Sequence, residues 1–469
     1  MTIIKTLQKF KFLWFPLRAI WRAVSHRSWF MPFLLLYLKL RVKRFQDRPA
    51  KKDAKIKVLA VHSPRYVPDQ ECLSEHPDME IWVLPHDVQA LINSIFIRDQ
   101  AKLLEGLDAI ETSRVFREGE IPQIKEGRER LQKYLERFLP KAMRLLKVDG
   151  MMSCSFFYLL DLDWQIACTK THIPFFALHK ENMQDPVVHE HMIKRYSDMH
   201  LKFEGQRLFL YNGLVKKVLM GAHICDEEIT RIVGACRMDA LINKVQNNQC
   251  ASPKRQVTLF SSHHAIGLLS LKDHKGYFSN DRNDGFVNYF DQVHGNMVLF
   301  AKQNPDVTVY IKPKWGGRWL EEIKSAAKRI ANIDLDNEDI PNLHIVWDTP
   351  AQQLIEESAV IVGINSTTLL ESLIVGRRVV VPLFEEAADK YYDRHVYFKK
   401  YQDVVFNVVR APNELSQTLL DELNEKIPAR DLPKEIIEDY LGYFDDQAAN
   451  RVVEQMKMDV QNLNAKKAK

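Results

Sequence analysis

The strongest constraint on this chain is a rhythm. Short, apolar, β-branched runs alternate with segments whose apolar residues recur every three or four positions. Ala359–Pro382 shows one full period. Ala359–Ile364 reads as a buried strand. Asn365, Ser366, Thr367 and Thr368 follow, and such side chains cap helix N-termini. Leu369, Leu370, Leu373 and Ile374 then fall at helical spacing. Gly376 ends the helix, and Arg377-Arg378 sits where a helix C-terminus favours cations. Val379–Val381 is the next strand. Parallel strands need such a helical crossover, so the segment is a βαβ unit.

The same alternation runs twice along the chain. It begins at Ile56–Val61 and continues through Met79–Leu84, a long apolar helical stripe from 126 to 146, Gly150–Ser155 and Ile173–Leu178. Residues 243–256 are polar, carry Ser252-Pro253 and read as a linker. A second series starts at Val257–Ser261 and passes through Val307–Ile311 and Leu343–Trp347 to the Ala359–Pro382 stretch. A chain of 469 residues is too long for one core. The expected fold is therefore α/β, with two Rossmann-like domains and a cleft between them, plus an N-terminal amphipathic helical segment. The expected divisions are 1–55 (basic segment and linker), 56–242, the linker 243–256, 257–430, and 431–469, a helix that crosses back onto the first domain.

Open parallel sheets bind ligands beyond the carboxyl ends of their strands, and the chemically loaded residues stand at such ends. The loop Asn365-Ser366-Thr367-Thr368 puts backbone N–H groups and hydroxyls at a helix N-terminus, which suits a diphosphate. Glu371, one turn further on, can accept hydrogen bonds from ribose hydroxyls. The alternative is a solvated carboxylate on an ordinary capped helix. Lys312-Pro313-Lys314 ends another strand; a lysine at 314 can neutralise phosphate charge, and the alternative for both lysines is a solvated basic loop. Ser262-His263-His264 follows the first strand of the second series. His179-Lys180-Glu181 follows Ile173–Leu178, so Glu181 or His179 can serve as a general base, with His263 next in line; the alternative pairs Glu181 with Lys180. No Cys/His spacing suggests zinc, and the expected chemistry asks for no metal and no cofactor. Six scattered cysteines without a CxxC pair fit a reducing compartment.

Charge is distributed unevenly. Residues 1–55 hold 14 Lys/Arg and 2 Asp/Glu, a net of +12, and the remainder holds 52 and 59. The body is thus acidic, which argues against a nucleic-acid-binding protein. Within residues 1–45 the cations interleave with Phe10, Phe12, Trp14, Phe15, Trp21 and the run Trp29–Leu38. That run is about half the length that spans a bilayer, and basic residues follow it where a signal peptide has its cleavage site. The expected partner of residues 1–45 is an anionic membrane surface; the alternative is packing on the protein's own core.

The stretch Asn365–Glu371 with Gly376-Arg377-Arg378-Val379 resembles the donor-nucleotide site of GT-B glycosyltransferases and of non-hydrolysing UDP-N-acetylglucosamine 2-epimerases, with Thr367-Thr368 in place of the family's glycine pair. "LKFEGQRLFLYNG" and "ITRIVGACRMDAL" resemble the end of the first domain in GT-B enzymes of surface-polymer synthesis, and Lys312-Pro313 resembles the "iKpHp" element there, with Lys314 at the histidine position. The resemblance implies a metal-independent transferase that moves a sugar from a nucleotide-sugar donor to a glycan or glycolipid acceptor, peripheral on the cytoplasmic face of the cell membrane. Asn365, Ser366, Thr367, Thr368, Glu371, Lys312 and Lys314 would hold the donor. Three other readings stay open: a polyol-phosphate transferase resembling CDP-glycerol glycerophosphotransferases, a sugar-nucleotide epimerase, and a non-catalytic assembly subunit.

Overall fold

The computed structural model describes residues 30–61, 66–97, 99–179, 188–263, 285–313, 317–428, 430 and 432–468. The chain is an α/β protein with two parallel-sheet units. The first unit comprises described residues up to 179, 192–237 and 447–468; the second comprises 188–191 and 238–446.

The first sheet contains β1 (Lys43–Arg44), β2 (Ile56–Val61), β3 (Met79–Leu84), β4 (Gly150–Ser153), β5 (Phe175–Leu178), β6 (Arg207–Leu210) and β7 (Thr230–Ile232). Their order is β1-β3-β2-β4-β5-β6-β7, parallel except for β1, which pairs antiparallel with β3 at the edge. Every position of β4, β5 and β6 is buried, as expected of strands covered on both faces.

The second sheet contains β8 (Lys254–Phe260), β9 (Thr308–Lys312), β10 (Leu343–Ile345), β11 (Ser358–Gly363), β12 (Arg378–Pro382) and β13 (Asn407–Val409). It is parallel throughout in the order β10-β9-β8-β11-β12-β13. Counted along this unit the order is 3-2-1-4-5-6, that of a doubly wound Rossmann sheet. The direction of winding reverses between β8 and β11, so crossovers leave an open crevice at that point of the carboxyl edge.

Helices accompany both sheets. Among them are α1 (Met31–Arg41), α2 (Val67–Glu75), α3 (Pro122–Leu146), α4 (Val287–Gln303), α5 (Ala351–Glu357), α6 (Thr367–Ile374) and α7 (Ala448–Ala468). Helix α3 buries Leu131, Tyr134, Leu135, Phe138 and Ala142, the apolar stripe legible in the sequence.

Three boundaries differ from the sequence expectation. Residues 31–48 do not form an appendage, because Met31, Leu34, Leu38, Val42 and Phe45 are buried in the first unit and β1 extends its sheet. The 29 preceding residues of the expected membrane segment lie outside the described residues. The expected linker 243–256 overlaps a helix, Asp239–Gln246, and β8; Leu241 and Ile242 on that helix are buried, and it belongs to the second unit. At the C-terminus, Lys434–Leu441 belongs to the second unit, and α7 returns to the first, packing on α2 and β2. There Arg207 on β6 forms a two-pronged ion pair with Asp459, their side chains 9% and 3% exposed. Lys457 Nζ reaches Asp78 at 2.7 Å. Among the described residues no helix is long and apolar enough to cross a membrane.

Candidate functional site

At the winding reversal of the second sheet, a pocket is lined by Ser262 and His263 after β8, Phe286 and Tyr289 at the start of α4, and Ile364 and Asn365 after β11. Two strands contribute because β8 and β11 are hydrogen-bonded neighbours although about a hundred residues apart, and Ser262 Oγ donates to the Ile364 carbonyl at 3.3 Å.

The loop leaving β11 is tightly shaped. Asn365 takes φ +54°, a left-handed conformation that asparagine tolerates better than most residues. Its amide ties the loop to the segment after β12: Nδ2 donates to the His395 carbonyl, and Oδ1 accepts from the Tyr397 N–H at 2.8 Å. Ser366 occupies the N-cap of α6. Its Oγ accepts the Thr368 N–H at 3.3 Å and lies 2.7 Å from Thr368 Oγ1. The helix start is therefore a polar, dipole-positive terminus with hydroxyls of Ser366 and Thr368 in contact. Gly376, at φ +74°, closes the helix as its position in the sequence predicts.

Glu371 is not solvated. It is 2% exposed, and Gln352, in the first turn of α5, donates to its Oε2 at 3.2 Å. The solvated-carboxylate alternative is thereby removed for this residue. A buried carboxylate must be held by hydrogen bonds, and Gln352 supplies one of them.

Lys312, the last residue of β9, donates from Nζ to the Trp347 carbonyl at 3.0 Å. Burial lowers its pKa, with Asp348 pulling the other way. It stands on the strand next to β8, at the same edge as His263 but not among the pocket-lining residues. Lys314, Lys180, Glu181 and His264 lie outside the described residues.

His263 packs edge-on against Trp319, with centroids 5.2 Å apart, and lies 6.4 Å from the Phe290 ring. Beneath it runs a buried relay that the sequence did not reveal. Trp319 Nε1–H donates to Ser261 Oγ at 3.0 Å; Ser261 Oγ lies 2.7 Å from His294 Nε2; His294 Nδ1 lies 2.6 Å from the Phe290 carbonyl. Burial holds His294 down to about 4, so the ring is neutral. A neutral ring whose Nδ1–H meets the carbonyl leaves Nε2 to accept from the Ser261 hydroxyl. A second residue that the sequence did not single out is Glu386, whose carboxylate takes the Asn288 and Tyr289 N–H groups and so occupies the N-terminus of α4 beside the pocket. Its place just beyond a βαβ unit is a visible signal; its partner a hundred residues earlier is not.

In the first unit, His179 follows β5 as expected and is fully buried. Its Nδ1 lies 3.2 Å from Ser155 Oγ, and its ring packs against Phe156 and Phe157 at 4.8 and 5.9 Å. The structure thus brings His263 and Asn365 together in one pocket, places Ser366–Glu371 on the adjoining helix and Lys312 one strand away, and sets His179 in the other unit. Among the described residues no group of three or more His, Cys, Asp or Glu side chains could hold a metal ion.

No protein-family model matches the sequence, and no curated protein does. Among solved structures, the chain is similar to a UDP-GlcNAc 2-epimerase from Neisseria meningitidis bound to UDP-GlcNAc: TM-score 0.45, 12% identity, covering 86% of this chain and 99% of that one. It is similar to the wall teichoic acid polymerase TagF, with TM-score 0.47, 12% identity and coverage of 97% and 99%. It is also similar to a UDP-forming trehalose-phosphate synthase from Burkholderia xenovorans, with TM-score 0.42, 11% identity and coverage of 88% and 99%. At these scores the likeness is distant, and the fold stands on the two sheet topologies described above.

Proposed function

We propose that the chain is a transferase that holds a nucleotide-activated donor on its second unit and passes the sugar to a glycan or glycolipid acceptor of surface-polysaccharide synthesis. The observation that carries this reading is the coincidence, at the winding reversal of the second sheet, of an apolar-and-polar pocket, a capped helix start and the buried Glu371. In this reading the diphosphate meets the N-terminus of α6 with Ser366, Thr367 and Thr368, and the ribose hydroxyls donate to Glu371. Lys312 and Lys314 neutralise charge on the departing phosphate. In the transfer, the bond from the anomeric carbon to the donor phosphate oxygen breaks, and its electron pair leaves with the nucleotide. The acceptor oxygen forms the new bond and gives its proton to a base, Glu181 or His179, with His263 next in line. The chemistry needs no resident cofactor or metal. Residues 1–45 keep the protein peripheral on the cytoplasmic face of the membrane, beside a lipid-linked acceptor.

A thermal-shift screen against CMP, CDP, UDP and GDP tests the donor site. A ligand that binds only the folded state adds about 2.7 kcal/mol of apparent stability at a hundredfold excess over its Kd. One nucleotide class is expected to raise the melting temperature. A cytidine diphosphate preference would favour polyol-phosphate transfer, turnover of the donor without an acceptor would favour epimerisation, and silence from all four would overturn the reading in favour of an assembly subunit.

A further inference from the structure

Helix α1 is apolar on two opposite faces. Met31, Leu34 and Leu38 point into the first unit's core and are at most 3% exposed. Phe33, Leu36 and Leu40 are 58%, 56% and 70% exposed. At about 100° per residue these three fall within roughly 60° of one another, opposite the buried face. Large apolar side chains clustered in this way on a soluble surface mark an interaction site.

Helix α3, against which α1 packs, carries a second feature. Arg130, Lys133, Arg137, Lys141 and Arg144 are all exposed and recur at intervals of three or four, which places them within roughly 80° on the outward face. Arg130 pairs with Glu126 at 3.7 Å. Lys133, Arg137, Lys141 and Arg144 have no carboxylate partner among the described residues. The two helices pack on each other, and an apolar ridge on one with a row of cations on the other is the composition of an interfacial, lipid-facing surface.

We propose that the outer face of α1 and the basic row of α3 dock the folded first unit directly onto an anionic bilayer. This deepens the membrane reading above: the first unit itself lies on the lipid and is not merely tethered by the preceding segment. Phe33, Leu36 and Leu40 enter the acyl boundary, and the α3 cations meet headgroup phosphates. Helix α1 has 11 residues and is about 16 Å long, half of what crosses a bilayer, so it lies along the surface. A second copy of the chain fits less well. A twofold contact through this surface would set the cations Lys133, Arg137, Lys141 and Arg144 of two copies toward like charge, whereas an anionic bilayer complements them.

The test is sedimentation of the full-length chain with phosphatidylglycerol-containing vesicles and with pure phosphatidylcholine vesicles. Residues 1–29 stay intact, so any loss belongs to the folded surface. The Phe33→Ser/Leu36→Gln/Leu40→Gln variant is expected to lower partitioning at least tenfold. Each cation near an anionic surface raises affinity about fivefold, so Lys133→Gln/Arg137→Gln/Lys141→Gln/Arg144→Gln should lose a hundredfold or more on the anionic vesicles alone. All replaced side chains are exposed, and unchanged melting temperatures confirm folding. Unchanged partitioning of both variants, or a wild-type chain that ignores anionic vesicles, overturns the proposal. So does an apolar-face variant that turns a dimer into a monomer yet keeps its vesicle binding. Nucleotide-induced thermal shifts, retained in both variants, keep this outcome separate from the fate of the donor site.

Discussion

Ser261 Oγ lies 2.7 Å from His294 Nε2, and through that contact the pocket histidine, His263, rests on a fully hydrogen-bonded base. Trp319 supplies the N–H on one side of Ser261, and its ring supports His263. The Phe290 carbonyl completes the relay by fixing the His294 tautomer. A satisfied polar network of this kind rigidifies what stands on it.

Protonation of His294 should therefore cost stability. Burial is the main cause of its low pKa, about 4; the Phe290 carbonyl and Asp291 oppose it, and His263 adds to it. In the unfolded chain the same ring titrates near 6.5. Between these values the unfolded state binds a proton that the folded state refuses. The contribution is complete above about pH 6.5 and is lost as pH falls to about 4; its size is on the order of 3 kcal/mol. Urea unfolding at pH 7 and pH 4.5 should show this loss in the wild type and a flatter dependence in His294→Phe. Equal slopes for the two proteins would refute it.

Glu371 should matter to nucleotide binding more than any hydroxyl around it. A hydrogen bond to a charged group contributes about 1.5–3 kcal/mol, so its removal should weaken binding roughly ten- to a hundredfold. Glu371→Ala also strands the Gln352 amide, and Glu371→Gln preserves shape, so both variants belong in the experiment. Ser366→Ala should cost less, because backbone amides carry most of the phosphate contact. Calorimetric titration of the cognate nucleotide decides the matter. Affinities equal to wild type in both Glu371 variants would remove the donor-site assignment.

The ion pair between Arg207 and Asp459 should hold α7 to the first unit. Both side chains are buried, and the contact is two-pronged. Asp459→Ala leaves a guanidinium buried without its main partner and should destabilise by about 3–5 kcal/mol. Replacing both residues by Met should cost much less, because no buried charge remains. Denaturant unfolding of the single and double variants separates these cases; equal losses would mean that the pair contributes through packing alone.

Most of the elements were legible in the sequence because their signals are local. Ala359–Val381 declares strand, cap, helix, stop and strand by composition and period, and Ser366, Gly376 and β12 stand where that reading puts them. The α3 stripe was equally plain, since a period of 3.6 needs no partner to be recognised. The boundaries were less so. Residues 31–48 look like a charged appendage in isolation, and only the first unit's core shows that Leu34 and Leu38 have somewhere to go.

The sequence by itself determined the two-unit α/β alternation and the placing of its polar residues at strand ends, because periodicity and capping act over a few residues. Tertiary structure alone decided which strand ends meet. The order β9-β8-β11 brings Ser262 to the Ile364 carbonyl. The packing of α5 on α6 buries Glu371 under Gln352, and the return of α7 sets Asp459 against Arg207, 252 residues away. Such pairings depend on the winding order of a sheet and on which faces find cover. No local pattern encodes either, since every parallel strand here carries much the same apolar signal.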